Sequence, residues 1–173
     1  MNAIPDAYLR IIEPIIQNAR ELLERGEHLN VTAYVGNFAS GTITPVVLRV
    51  DSEMAKEDSA RLIKLAADFN DADFIFVLTE AWSLRKDKLS EVEKIYERYG
   101  SIAASPYAVD IMAASLETIH GVWMAEIPIK PKGFSKKKRT FGVPEFKYFT
   151  ETKGRFVHLL PARNGAQDAG ILH

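Results

Sequence analysis

Three glutamates and two tryptophans offer this 173-residue chain its most chemistry. Glu80 follows the apolar run Phe74-Ile75-Phe76-Val77-Leu78, within Thr79-Glu80-Ala81-Trp82. Glu117 and Glu126 lie in the two apolar stretches on either side of His120-Gly121. Side chains alternate across a strand, so a hairpin there carries both glutamates on one face. If that hairpin lies beside the Phe74 run, three carboxylates converge. Converging carboxylates bind Mg²⁺, or shift one another's pKa for acid–base work. Trp82 and Trp123 border the same region. They either stack on a ligand or bury their rings in the core with the indole N–H bonded to backbone. The candidate cleft is therefore Glu80, Trp82, Glu117, Trp123 and Glu126, set against the plainer reading that each glutamate is solvated or paired.

A second candidate surface is basic. Lys130, Lys132, Lys136, Lys137, Lys138 and Arg139 are six of the 22 basic residues. Without them the chain has 16 basic against 23 acidic residues, a net of −7 instead of −1. Such a segment can meet phosphates, with Phe134 available for stacking. Its plainer reading is a solvated loop.

Other chemistries lack their residues. The absence of cysteine removes disulfides, zinc–thiolate sites and thiol nucleophiles. His28, His120, His158 and His173 show no metal-ligand spacing, and no metal or cofactor is predicted. Gly36 and Gly41 are spaced like P-loop glycines, but Thr42 stands where a lysine is needed. No Gly-x-Ser-x-Gly or Gly-x-Gly-x-x-Gly occurs. The near-neutral net charge argues against a polycation, and no apolar window reaches the ~18 residues of a membrane helix. Met1 to Asp6 lacks the pattern of a signal peptide. We expect a cytoplasmic protein.

The elements that must position these residues follow from periodicity. Tyr8 to Leu23 recurs at helical spacing, Pro14 kinks that helix or starts it afresh, and Gly26 is the stop. Leu29 to Val50 predicts a hairpin turning at Ser40-Gly41, and Pro45 marks an edge or bulge. Asp51-Ser52 caps a helix whose inner face is Ala55, Ser59, Leu62, Ile63, Ala66 and Phe69. The Phe74 strand then returns parallel to the Val46 strand, inside the sheet, and closes at Thr79. Arg85 to Lys88 is loop. Ser90-x-x-Glu93 has the form of a capping box for a helix ended by Gly100. Tyr107 to Ile129 is a hairpin with His120-Gly121 as its turn. Its core face is Met112, Ala114, Leu116, Trp123, Ala125 and Ile127. Phe141 to Phe149 and Arg155 to Leu160 are further short strands.

Thr79-Glu80-Ala81-Trp82 after an apolar strand, with Leu116-Glu117-Thr118…Gly121-x-Trp123-Met124-Ala125, resembles a broad group of uncharacterised bacterial and phage proteins. The resemblance spans roughly residues 29–129 and implies a fold context without a mechanism.

The expectation is a single α+β domain over residues 1–160 with a polar tail over 161–173. It has a mixed sheet of about five strands, two hairpins, one helix crossover, and helices mainly on one face. The leading function is a non-catalytic binding or interaction protein of phage-derived or accessory type, with an unknown protein or small molecule as partner. The alternatives are a carboxylate-dependent hydrolase using Glu80, Glu117 and Glu126, and nucleic-acid contact through residues 130–139.

Overall fold

The computed structural model describes residues 3–152 and 158–161. Helix α1 (Asp6–Glu24) leads into strands β1 (Thr32–Asn37) and β2 (Thr42–Val47). Helix α2 (Glu53–Phe69) and strand β3 (Phe74–Leu84) follow. A 3₁₀ turn (Lys86–Glu91) precedes helix α3 (Val92–Tyr99). Strands β4 (Ala108–Thr118), β5 (Gly121–Pro131), β6 (Arg139–Phe141) and β7 (Lys147–Phe149) complete the described elements. The α+β class is as expected.

Among the described residues one sheet runs β2-β1-β3-β4-β5-β6. β7 pairs with the other end of β5, so β6 and β7 share its outer edge. Among the described residues every pairing is antiparallel, which corrects the mixed sheet, and seven strands stand where about five were expected. β3 does run in the direction of β2, as a strand–helix–strand crossover requires. The two are not neighbours, because β1 lies between them and pairs with both.

β3 is interior, as its apolar run demands, and its alternation feeds two cores. Phe74, Phe76 and Leu78 pack under α1 with Tyr8, Ile12, Ile16, Leu23, Met112, Leu116 and Trp123. Ile75 and Val77 point the other way, to Ala33, Val35, Ile63 and Ala67 of the α2 layer. The helices therefore cover opposite faces. This corrects the one-face expectation, since a strand apolar at every position must be covered twice.

Local chemistry accounts for the element ends. α1 runs unbroken through the exposed Pro14. It ends in a Schellman arrangement. Glu27 N–H reaches the Leu22 carbonyl and Gly26 N–H the Leu23 carbonyl, with Gly26 at φ 84°. Ser52 caps α2 by accepting the Ala55 N–H at 3.0 Å. The Ser90–Glu93 capping box does not form, because the 3₁₀ turn occupies that stretch and leads straight into α3. On α2 the buried line is Ser59, Ile63 and Ala67, while Leu62 and Phe69 are exposed. β2 is an edge strand carrying Pro45, which decides between the edge and the bulge expected there.

The β4–β5 turn falls one residue earlier than predicted, at Ile119-His120, so Thr118 pairs with Gly121 and Leu116 with Trp123. Each predicted partner is displaced by two residues. The pleat also repeats every two, so the predicted core face is unchanged. The predicted Phe141 to Phe149 strand is two short strands around residues 142–146. The Arg155 to Leu160 strand falls mostly outside the described residues, as does the tail.

Candidate functional site

β3 does not close at Thr79. It continues to Leu84, paired along its whole length with β4. Thr79-Glu80-Ala81-Trp82 is thus strand interior, and Glu80 projects on the α1 face with Phe76 and Leu78.

That face gives Glu80 a structural set of partners. Arg139 Nη1 donates to its Oε2 at 2.7 Å, and the Leu29 N–H donates to Oε1 at 3.2 Å. His28 Nδ1 lies 3.9 Å away. Partial burial pushes the carboxyl up, but the Arg139 guanidinium and the Leu29 N–H outweigh it and hold Glu80 below the usual range.

Glu117 is on the α2 face, opposite Val122. It is only 7% exposed and accepts the Leu159 N–H at 3.3 Å. Burial pushes its pKa up, against the backbone N–H groups of residues 158–160. Glu126 shares that face but is exposed and accepts the Ser83 hydroxyl at 3.3 Å. It lies opposite Ala113, four residues along β4 from Glu117, about 13 Å at the strand rise. The three carboxylates therefore do not converge: the sheet separates Glu80 from the other two, and the pleat spaces those two apart. Among the described residues no group of three acidic or histidine side chains is placed to hold a metal ion.

The tryptophans also part. Trp123 is 2% exposed and packs against Tyr148, with ring centroids 5.1 Å apart. Trp82 is 60% exposed beside its cross-strand partner Asp110.

The basic segment is a hairpin extension rather than a free loop. β5 continues to Pro131 and pairs with β6, and Lys132 N–H donates to the Lys138 carbonyl at 2.8 Å. The Ser135 hydroxyl accepts the Lys137 and Lys138 N–H groups, which fixes the tip. Two of the six cations tie the hairpin down. Lys132 pairs with Glu24 of α1 at 2.6 Å, and Arg139 pairs with Glu80. Thr140 adds a 2.8 Å hydrogen bond to Glu24, whose carboxyl is held low by Lys132 and Thr140. Lys130, Lys136, Lys137 and Lys138 make no ion pair among the described residues. Phe134, at the tip, is fully exposed.

Under the hairpin lies a cleft of about 330 Å³, lined by Asp110, Ile129, Lys130, Pro131, Gly133, Phe134, Ser135, Lys136 and Arg139. The sequence reading missed Asp110 and the Glu80–Arg139 pair. A lone acid in the strand Val109-Asp110-Ile111-Met112 was a visible signal for the first. Nothing local signals the second, whose partners are 59 residues apart.

No helix among the described residues is long and apolar enough to cross a membrane. Comparisons of the chain with family models, curated proteins and solved structures find no match.

Proposed function

We propose that this chain is a non-catalytic binding protein whose contact surface is the β5–β6 hairpin, and that it holds a phosphate polyanion, nucleic acid being the fitting class. One observation carries this reading. Lys136, Lys137 and Lys138 stand side by side on an ordered tip without an acidic partner among the described residues, while Lys132 and Arg139 are used to hold that tip in place. Adjacent like charges repel, and a polyanion relieves that repulsion while releasing its own counterions. Pinning the hairpin through ion pairs lowers the ordering cost of binding. The separated carboxylates lend no support to the hydrolase reading.

The test is fluorescence anisotropy with a labelled mixed-sequence oligonucleotide between about 50 mM and about 200 mM salt. Binding should weaken steeply with salt. The triple change Lys136→Ala, Lys137→Ala, Lys138→Ala should reduce the log–log salt slope by about two units. Absence of binding at the lowest salt, or a triple variant that binds like the parent, overturns the reading.

A further inference from the structure

We infer that the cleft beneath the hairpin takes an unpaired nucleobase, so that the polyanion held on the lysines is single-stranded nucleic acid; this rests on the anion-binding reading above. The cleft's volume is at the lower end of the range for small-molecule sites, ~300–1,000 Å³. Its lining combines apolar Ile129, Pro131 and Phe134 with charged Asp110, Lys130, Lys136 and Arg139.

Phe134 is the first argument. Its ring is fully exposed on a tip whose backbone is fixed, so the fold leaves an aromatic face without cover. A base presents a flat π-surface of matching kind, and such stacking tolerates any sequence. Trp82 supplies a second exposed indole on the same sheet face, beside Asp110 in the adjacent strand.

Asp110 is the second argument, because it offers a base edge a hydrogen-bond acceptor. It lines the cleft, is exposed, and has no hydrogen bond or ion pair among the described residues. Lys130 and Lys136 line the cleft as well and can meet phosphate, while the Asp110 carboxylate accepts hydrogen bonds from base N–H donors. Asp110 thus gives the base edge a partner, while Lys130 and Lys136 beside it, with Lys137 and Lys138 at the tip, favour the backbone. A duplex cannot present a base this way. Its pairing donors are engaged and its π-faces stacked.

The experiment compares a labelled single strand, its duplex of the same length, and phosphatidylserine vesicles at one salt concentration. The single strand should bind more tightly than either. Phe134→Ala should weaken single-strand binding about tenfold, and Phe134→Trp should restore it, with the salt slope unchanged in both. Thermal melting of each variant confirms the fold, which an exposed tip residue should not alter. Duplex binding as tight as single-strand binding, or preferred binding to vesicles, overturns the inference. So does a Phe134→Ala variant that binds like the parent. If the lysine variant is weakened in that last case, the anion-binding reading survives alone. Absence of binding to all three probes at low salt removes both.

Discussion

Glu80 and Glu117 belong to adjacent strands of one sheet and differ in environment because they face opposite sides of it. Glu80 is held low by Arg139 and Leu29 despite partial burial, so it is stabilising in its charged form. That contribution is present above the unfolded value of about 4.3 and is lost as pH falls through the lower folded value. Glu117 is pushed up by burial. Its contribution is present below about 4.3 and is lost as pH rises through the raised folded value. The two oppose each other. Glu117→Gln should therefore gain on the parent as pH rises: the unfolding free energy of the variant minus that of the parent is larger at about pH 8 than at about pH 4. Urea unfolding at both pH values measures the difference, and an equal difference at both would refute the assignment. Glu80 and Glu117 were visible in the sequence as acids inside apolar strands. Which one meets a cation and which one meets backbone N–H groups was not, because Arg139 and residues 158–160 arrive from far along the chain.

Two helix ends with a local cause were read correctly. Ser52 and Gly26 end their helices through bonds made within a few residues. β3 was misread because a distant neighbour prevails. β3 reads as ending at Thr79 from its polar change, yet β4 runs beside it to Leu84 and keeps it extended. Gly36 lies in β1, and its sequence neighbours do not reveal what packs on it. In the sheet it lies opposite Phe74, whose ring occupies the space a Cβ would take. Glycine there is needed for packing rather than for a special backbone angle. Gly36→Ala should cost about 1–3 kcal/mol, the usual range for overpacking a filled core, read as a lower urea midpoint at unchanged slope. A neutral result would mean that the Phe74 ring moves freely.

At the scale of the whole molecule, β3 makes one sheet serve two cores. Ile12 of α1 and Ile63 of α2 are fully buried in clusters on its opposite faces. They share no cluster, so their effects should be independent. Ile12→Val and Ile63→Val should each cost about 0.5–1.5 kcal/mol, and the double variant should match the sum within about 0.5 kcal/mol. A larger deviation in chemical denaturation would show that the sheet transmits strain between its faces. The same division explains the fate of the candidate cleft. A face assignment made within one hairpin is preserved under a two-residue displacement, so Glu117 and Glu126 share a face as expected. The relation of that hairpin's polar face to Glu80 depends on how the strands are joined across the sheet.

Periodicity and local hydrogen-bonding chemistry were enough to determine the α+β class, the interior place of Phe74 to Leu78 and the core face of the second hairpin. Each follows from forces that act within a few residues or from the alternation of a single strand. Tertiary structure alone decided the strand order, the covering of both sheet faces, the dispersal of Glu80, Glu117 and Glu126, and the meeting of Asp110 with the basic hairpin. Those depend on contacts between segments distant in sequence, where the hydrophobic drive to cover β3 on both sides selects the topology and the charged residues take the partners that topology brings to them.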